Sequence, residues 1–161
     1  MRILIVAAMD ENKLIGNDGR LPWPFLPNDH AHVQRLVRGR KTIMGRKSYD
    51  TPDRIWSDAG NIVMTSQLNY QVDPGFEVVH SMEEAFDRYK DEDEVVVLGG
   101  AQIYAETIPR ASVLYLTLIH GTYEGDAYFP DFNGFELTAQ EDHPADDRHA
   151  VAYSFQTWER G

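Results

Sequence analysis

One uninterrupted apolar stretch, residues 3–9, constrains the fold more than any other feature of the chain. It reads ILIVAAM and contains no charged residue and no turn former. A strand with one face in water alternates apolar and polar residues, whereas a strand buried on both faces is apolar throughout. Residues 3–9 therefore predict a central strand of a sheet that is covered on both sides.

The rest of the chain supplies the layers that such a strand requires. The pattern predicts further strands at residues 42–44, 62–65, 95–98 and 113–119, and helices at residues 27–38, 81–89 and 101–108. Ser81 and Glu84 form a capping box at the start of the second helix. Alternating strands and helices indicate a single α/β domain with a mostly parallel sheet. Residues 151–158 predict a late antiparallel strand at one edge, paired with the region of residues 135–139.

Composition and charge exclude several classes of protein. The chain has no cysteine, which excludes disulfides, thiol catalysis and thiolate metal sites and fits a reducing cytoplasm. No long uncharged apolar run is present, so no membrane span is expected. The formal net charge of −11 argues against a nucleic-acid or anionic-membrane partner. The acidic surface fits either simple solubility or adaptation to a salt-rich cytoplasm.

One carboxylate, Asp29, lies on a helical face that is otherwise apolar. Helical spacing places it on the same side as Val33, Leu36 and Val37. Two interpretations are open at this point. The acid either stabilises the helix N-terminus from the first turn, or it is buried and must pair with a ligand. A planar heterocycle with two adjacent N–H donors would satisfy both oxygens, and burial would raise the carboxyl pKa.

Two segments have the composition of phosphate-binding sites. Residues 98–104, LGGAQIY, place paired glycines between a strand and a helix, so that a ligand can approach the backbone closely. Residues 42–48, TIMGRKS, end a strand with glycine, two cations and a hydroxyl. Each segment alone is also typical of an ordinary structural turn.

No pattern predicts a metal site. His30 and His32 are two positions apart on a helix and point in different directions. The other histidines have no partner at a recognisable spacing, and we interpret them as surface or packing residues: His80, His120, His143 and His149.

In their order and spacing, these motifs resemble the dihydrofolate reductase family over nearly the whole chain. The matching segments are residues 6–8, 14–16, 21–23, Asp29, and residues 44–48, 98–104, 115–117 and 124–130. The resemblance implies an eight-stranded, mostly parallel sheet with an antiparallel last strand, flanked by about four helices. It also implies that residues from about 39 to 90 form an adenosine-binding subregion.

The activity implied by the resemblance is NADPH-dependent reduction of 7,8-dihydrofolate to 5,6,7,8-tetrahydrofolate in one-carbon metabolism. Hydride would pass from nicotinamide C4 to pterin C6, and a proton would reach N5. Asp29 would bind the pterin 2-amino group and N3, and Trp23 and Thr117 would organise the water and hydroxyl network around it. Residues 15–21 resemble a mobile loop that closes over the nicotinamide, which brings Leu21 to the reacting rings.

The resemblance also implies which residues bind each ligand. The residues expected around the substrate are Val6, Ala7, Ala8, Asp29, His30, Val33, Pro52, Trp56 and Thr117. The residues expected around NADPH are Ala8, Ile15, Gly16, Gly45, Arg46, Lys47, Ser48, Thr65, Ser66, Leu98, Gly99, Gly100, Ala101, Gln102, Ile103 and Tyr104. The matches at the 2′-phosphate favour NADPH over NADH. A cis peptide between the paired glycines is expected from the family.

The substrate side departs from the family pattern. His30 and Val33 occupy places where the family has a hydrophobic residue and an aromatic one. Ala59 occupies the place of the arginine that grips the glutamate α-carboxylate. Loss of an arginine–carboxylate pair weakens binding by about 1–3 kcal/mol, so we expect a raised KM and a weaker dependence on the glutamyl tail. Arg35 and Arg54 are the alternative anchors.

Two other functions stay open from the sequence. One is a related NADPH-dependent reductase of the same fold that acts on a ribosylamino-pyrimidine in riboflavin synthesis. The other is a folate-binding module without turnover. Asp29 and residues 21–23 favour a pterin ligand and reduction. We expect a cytoplasmic monomer whose partner is dihydrofolate.

Overall fold

A computed structural model describes all 161 residues and contains ten strands and four helices. The strands are β1 (Arg2–Met9), β2 (Leu14–Gly16), β3 (Lys41–Gly45), β4 (Asn61–Met64), β5 (Phe76–Val79), β6 (Glu94–Val97), β7 (Ala111–Ile119), β8 (Ala127–Tyr128), β9 (Phe135–His143) and β10 (Tyr153–Arg160). The helices are α1 (Pro27–Val37), α2 (Arg46–Tyr49), α3 (Met82–Arg88) and α4 (Ala101–Thr107). A 3₁₀ turn at Ile108–Arg110 follows α4.

Eight strands form one sheet in the order β5-β4-β3-β6-β1-β7-β10-β9. Every neighbouring pair is parallel except those made by β10, which runs antiparallel to both β7 and β9. The predicted eight-stranded, mostly parallel sheet with an antiparallel last strand and four flanking helices is therefore confirmed. A separate two-stranded sheet, β2 with β8, was not predicted.

Strand β1 is buried on both faces, as its apolar run predicts. Ile3 and Ile5 belong to the core cluster that also contains Phe86 of α3 and Ile103 of α4. Leu4 and Val6 face the other way and pack in the cluster that contains Val37 of α1. Each such side chain stabilises the fold by roughly 1.5–3 kcal/mol relative to exposure. This two-sided burial fixes β1 at the centre of the molecule.

The differences from the predicted elements have identifiable physical causes. Strand β9 extends to His143, well past the predicted end at residue 139, because its polar and exposed residues are held by the ladder to β10 rather than by burial. The capping box is present at α3, where Ser81 Oγ accepts from Glu84 N at 3.1 Å. The Glu84 carboxylate, however, accepts from His80 N at 2.9 Å. Helix α2 has only four residues, which is too short to show a helical repeat of apolar residues in the sequence.

None of the helices has the length and apolar character needed to cross a bilayer.

Candidate active site

Two cavities meet at the carboxyl end of β1. The first, which we call the Asp29 cavity, has a volume of about 1010 Å³ and is lined by Val6, Ala7, Trp23 and Asp29 among others. The second, the glycine-pair cavity, has a volume of about 1040 Å³ and is lined by residues that follow β3, β4 and β6. Ala8, Leu21, Leu98 and Tyr104 line both. The two cavities can therefore hold two ligands in contact, at the sheet edge where open α/β folds bind ligands.

Helix α1 places Asp29 in the wall of its cavity. Pro27 starts the helix, and Val33, Leu36 and Val37 pack against the even-numbered face of β1. Asp29 is on the same helical side, one turn before Val33, and therefore points along the sheet toward the end of β1. The shared apolar stripe thus explains why a carboxylate lies inside the molecule.

The Asp29 carboxylate has one partner within the protein. Thr117 Oγ1, in the neighbouring part of β7, donates to Asp29 Oδ1 at 2.6 Å. Burial raises the pKa of Asp29, and the Thr117 hydroxyl and nearby His30 lower it by less. The second oxygen is left for a donor that enters the cavity. A half-buried acid with a raised pKa is suited to bind a donor pair and to respond to the protonation of a ligand.

The glycine pair lies between β6 and α4. Gly99 has φ +98° and the Gly99–Gly100 peptide is cis, so the cis bond expected from the resemblance is present. Gly45 N donates to Gly99 O at 2.7 Å, and Tyr104 Oη donates to Val6 O at 2.7 Å. Burial raises the pKa of Tyr104, which keeps its hydroxyl a donor. These bonds tie the glycine pair to β3 and to β1.

Substitution of Gly99 by alanine is expected to destabilise the protein by about 2–4 kcal/mol. A Cβ at this position would lie 2.6 Å from the Tyr104 ring, and the positive φ disfavours any side chain. The melting temperature should fall by roughly 5–15 °C. Gly100→Ala is the matched control, because a Cβ there meets nothing within 4 Å. Equal thermal stability of the two variants would contradict the role assigned to the Tyr104 ring.

Cations and hydroxyls that follow β3 and β4 line the glycine-pair cavity, and three of them, Arg46, Lys47 and Ser48, also line the Asp29 cavity. Arg46, Lys47 and Ser48 belong to α2, which follows β3, and Thr65 and Ser66 follow β4. Because β3 and β4 are parallel neighbours, their carboxyl ends lie together at the same sheet edge. Arg46 Nη1 also bonds Asp50 Oδ2 at 3.0 Å, which orients the guanidinium. This donor set suits a phosphate monoester.

The structure brings most of the residues named from the sequence to these cavities. Those in the lining of the Asp29 cavity are Val6, Ala7, Ala8, Leu21, Trp23, Asp29, His30, Val33, Arg46, Lys47, Ser48, Pro52, Arg54, Leu98 and Tyr104. Those in the lining of the glycine-pair cavity are Ala8, Ile15, Gly16, Leu21, Gly45, Arg46, Lys47, Ser48, Thr65, Ser66, Leu98, Gly100, Ala101, Gln102, Ile103 and Tyr104. Gly99 is buried behind the lining. Thr117 reaches the first cavity through its bond to Asp29.

Trp56 does not join this group. Its side chain is 51% exposed and lines neither cavity. Its backbone is held from outside the site, since Trp56 N donates to Gln34 Oε1 at 3.2 Å and Trp56 O accepts from Gln34 Nε2 at 3.3 Å. The aromatic residue that does line the Asp29 cavity near helix α1 is Phe25, with its ring centroid 5.5 Å from that of His30.

The three positions considered for a tail anchor differ in placement. Ala59 and Arg35 are exposed and lie outside both linings. Arg54 lines the Asp29 cavity, but its guanidinium is paired with Asp73 and stacks on Tyr49 at 4.1 Å. It also donates to Tyr49 O at 3.2 Å. Arg54, the one candidate anchor that lines the cavity, is therefore already paired with protein groups.

Phe25 and His80 are among the lining residues that the sequence analysis did not select. His80 lines the glycine-pair cavity with its Nδ1 2.8 Å from Thr65 O. His80 follows directly after β5, a strand that the pattern did not reveal. Recognition of β5 would have placed His80 at the same sheet edge as Ser48 and Ser66, because parallel strands end together.

Comparisons with known proteins agree with this geometry. The family model described as dihydrofolate reductase matches residues 2–160. The dihydrofolate reductase of Bacillus subtilis (strain 168) is 38% identical over 160 residues, which cover 98% of this chain and 94% of the relative. Dihydrofolate reductase type 3 of Salmonella typhimurium is 36% identical over 162 residues, which cover 99% of each chain. A solved dihydrofolate reductase from Enterococcus faecalis, complexed with NADP(H) and RAB-propyl, superposes with a TM-score of 0.85 at 32% identity, covering 99% of this chain and 96% of the other. The chain belongs to the dihydrofolate reductase family.

Proposed function

We propose that this protein reduces 7,8-dihydrofolate to 5,6,7,8-tetrahydrofolate with NADPH. The observation that carries the proposal is the half-buried carboxylate of Asp29, bonded to Thr117, in a cavity that opens directly into a second one with phosphate-binding character. Family membership and the NADP(H) complex of the E. faecalis relative support the same reaction.

The glycine-pair cavity fits NADPH. Gly100 has no atom within 4 Å of where a Cβ would lie, so the backbone there is open to a ligand. Arg46, Lys47 and Ser66 would bind the 2′-phosphate, and Ser48 with residues 100–102 would bind the pyrophosphate. When bound, NADPH supplies the hydride. Ala8, Ile15 and Gly16 would hold the nicotinamide end, where the two cavities meet.

Asp29 would perform two tasks in this reaction. Its two oxygens accept from the pterin 2-amino group and N3, a charge-assisted pair that fixes the ring. Thr117 holds one oxygen in place at 2.6 Å. The carboxylate also polarises the pterin so that N5 takes a proton more readily, with water as the immediate donor. Trp23 would order that water, and backbone groups of residues 6–8 would complete the contacts with the pterin.

Leu21 would exclude bulk water from the reacting rings. It lines both cavities and is 55% exposed, so a bound pair of ligands can bury it. Closure of residues 15–21 over the ligands would strengthen every polar contact in the site. Gly125 packs against this segment, since a Cβ there would lie 2.4 Å from Gly16 O.

The direct test is loss of the NADPH absorbance band when dihydrofolate is added to the purified protein. We expect rapid loss with NADPH and dihydrofolate and slow loss with NADH. Oxidation of NADPH by a ribosylamino-pyrimidine but not by dihydrofolate would instead support the riboflavin-pathway reductase. Protection against unfolding by dihydrofolate without any loss of absorbance would support a binding module.

The glutamate tail should contribute little to substrate recognition. With Ala59 in the arginine position and Arg54 paired to Asp73, we expect kcat/KM for 7,8-dihydropteroate, which lacks glutamate, within about fivefold of that for dihydrofolate, because a free arginine pair would contribute about tenfold or more. Steady-state kinetics with both substrates measure this ratio.

A variant that restores the arginine provides the control for the predicted weak recognition of the glutamate tail. Ala59→Arg should lower KM for dihydrofolate by about tenfold and leave KM for dihydropteroate unchanged, since only the former has carboxylates. A strong preference of the wild-type enzyme for dihydrofolate that disappears in Arg54→Ala or Arg35→Ala would show that one of these cations has taken over the anchor.

We also propose an organisation and setting for the enzyme. Residues from about 39 to 90 would form the adenosine-binding subregion, since they contain Arg46, Lys47, Ser66 and His80 of the glycine-pair lining. The enzyme would act as a cytoplasmic monomer without nucleic-acid or membrane partners, in keeping with its net charge of −11. Sedimentation in the presence of both ligands measures the oligomeric state.

A further inference from the structure

The helix that carries Asp29 is capped by a residue far away in the chain. Leu26 occupies the N-cap position of α1 and has no side-chain acceptor to offer. The free backbone N–H of Asn28, in the first turn, instead donates to Nε2 of His149 at 3.1 Å. His149 belongs to the connection between β9 and β10, residues 144–152. The acceptor that a serine or aspartate N-cap normally provides is therefore supplied by an imidazole from the other end of the sequence.

The hydrogen-bond partners of His149 determine its tautomer. A backbone N–H can only donate, so Nε2 must be the acceptor and carry no proton. The other ring nitrogen, Nδ1, lies 2.8 Å from Asp146 Oδ1 and donates to it. The bond from His149 is the largest of the causes that lower the pKa of Asp146. His149 is 4% exposed. The contacts thus select the neutral, Nδ1-protonated imidazole in a nearly closed site.

A second bond fixes the same helix end to the sheet. Asn28 Nδ2 donates to Tyr153 Oη at 2.8 Å, and the Tyr153 ring packs against that of His149 with 5.1 Å between centroids. Tyr153 lies in β10, and β10 pairs with β7 so that Phe155 is opposite Thr117. The start of α1 and the hydroxyl of Thr117 are therefore held by one strand pair.

We propose that His149 is a positioning residue for the reaction. Through its Nε2 lone pair it holds the backbone of Asn28, and thereby keeps the next residue, Asp29, within bonding distance of Thr117 and in the wall of the cavity. The expected change in kcat rests on the proposed function, whereas the hydrogen bond between His149 and Asn28 does not depend on it. A protonated imidazole would present Nε2–H to the Asn28 N–H, two donors facing each other, and the cap would be lost.

The charged and titratable groups around the imidazole come from three places. Asp146 and its neighbour Arg148 belong to the same connection, and Arg148 N donates to Asp146 Oδ1 at 2.9 Å. Tyr153 faces the ring from β10, with His143 of β9 stacked on Tyr153 at 5.0 Å. From α1 the group that faces it is the neutral Asn28. Asp146 accepts from Nδ1–H whether the imidazole is neutral or protonated. Protonation would therefore change only the contact between Nε2 and the Asn28 N–H.

The contact is tested first in the wild-type protein with NADPH and folate bound. At about pH 7.5, ¹⁵N–¹H NMR spectra should show His149 with its proton on Nδ1 and none on Nε2, together with a through-hydrogen-bond coupling between Nε2 and the Asn28 amide nitrogen. This measurement needs no turnover. A proton on Nε2, or absence of the coupling to Asn28, would overturn the proposal.

Two variants then separate positioning from simple stability. His149→Gln retains a side-chain acceptor, and His149→Leu removes it with little change in bulk. At about pH 7.5, His149→Leu should lower kcat for dihydrofolate by about 2- to 30-fold, the effect of losing one helix cap, and leave the NADPH dissociation constant within about twofold. His149→Gln should restore most of kcat.

The outcomes separate this proposal from the proposed function. An unchanged kcat in His149→Leu, or an equal loss of NADPH affinity and kcat, would overturn the positioning role. Failure of His149→Gln to restore kcat would do the same. Absence of dihydrofolate turnover in the wild-type protein would overturn the proposed function instead, and would leave the NMR result on the Asn28 contact as it stands.

Discussion

Asp29→Asn is expected to lower kcat for dihydrofolate at about pH 7.5 by ~10²–10⁴-fold, the usual range for loss of acid–base assistance. Asparagine keeps the shape of the side chain and can still accept from Thr117. It cannot supply the negative charge that binds the pterin donor pair and favours a proton on N5. As the pH falls, the deficit should shrink, because the substrate then arrives protonated. Single-turnover absorbance measurements across a pH series record this directly.

The matched control is Asp53→Asn, which removes a carboxylate from the exposed rim of the same cavity. We expect its kcat to stay within about threefold of wild type, because an exposed carboxylate is strongly screened by solvent. Near-normal turnover of Asp29→Asn at neutral pH would remove Asp29 from the mechanism.

Asp29→Asn should also raise the melting temperature of the protein at neutral pH. Burial raises the pKa of Asp29 in the folded protein above its ordinary value, so the folded state favours the protonated acid. Its favourable contribution to stability is complete below the ordinary pKa and disappears as pH rises through the folded-state pKa. At neutral pH the ionised group costs stability, and a neutral amide removes that cost. Thermal unfolding at two pH values checks the sign: the gain should vanish in acid.

Arg46→Ala should raise KM for NADPH by about 10- to 100-fold while KM for NADH stays within about threefold. Arg46 lines the glycine-pair cavity together with Lys47 and several hydroxyl side chains, and a charge-assisted bond to phosphate contributes about 1.5–3 kcal/mol. NADH lacks the 2′-phosphate and has no such bond to lose. Initial rates with both cofactors at saturating dihydrofolate give the two constants.

Arg88→Ala is the control for the charge change, since Arg88 pairs with Glu77 and Glu84 away from both cavities. Its KM values for both cofactors should match wild type. An equal loss of affinity for NADPH and NADH in Arg46→Ala would mean that Arg46 binds a part that the two cofactors share, such as the pyrophosphate.

The parts of the fold that were predicted from the sequence are those in which burial and local pattern coincide. The apolar run of β1 needs two covered faces, and the structure supplies both. Asp29 was detected because helical spacing placed it on an apolar stripe, and the glycine pair because a strand ended there. In each case a few neighbouring residues contain the whole signal.

The parts that were missed depend on contacts between distant segments. His149 caps a helix 121 positions away, and no local spacing reveals that an imidazole replaces an N-cap side chain. Trp56 was placed in the site by the resemblance, yet its backbone is held by Gln34 and its ring faces outward. Strand β9 is polar and exposed along most of its length, so only its partner β10 makes it a strand.

The order of the sheet has a consequence for synthesis on the ribosome. Ile3 of β1, which is made before either of its neighbours in the sheet, pairs with Val95 on one side and Ala111 on the other, and Thr117 faces Phe155 in β10. A nascent chain that has emerged only through α3 therefore exposes its most apolar segment with neither neighbour available, which favours capture by chaperones or slow, late collapse. The carboxylate, its hydroxyl partner and the imidazole cap come together only after the C-terminal strand leaves the exit tunnel, so chains released prematurely would be inactive as well as aggregation-prone.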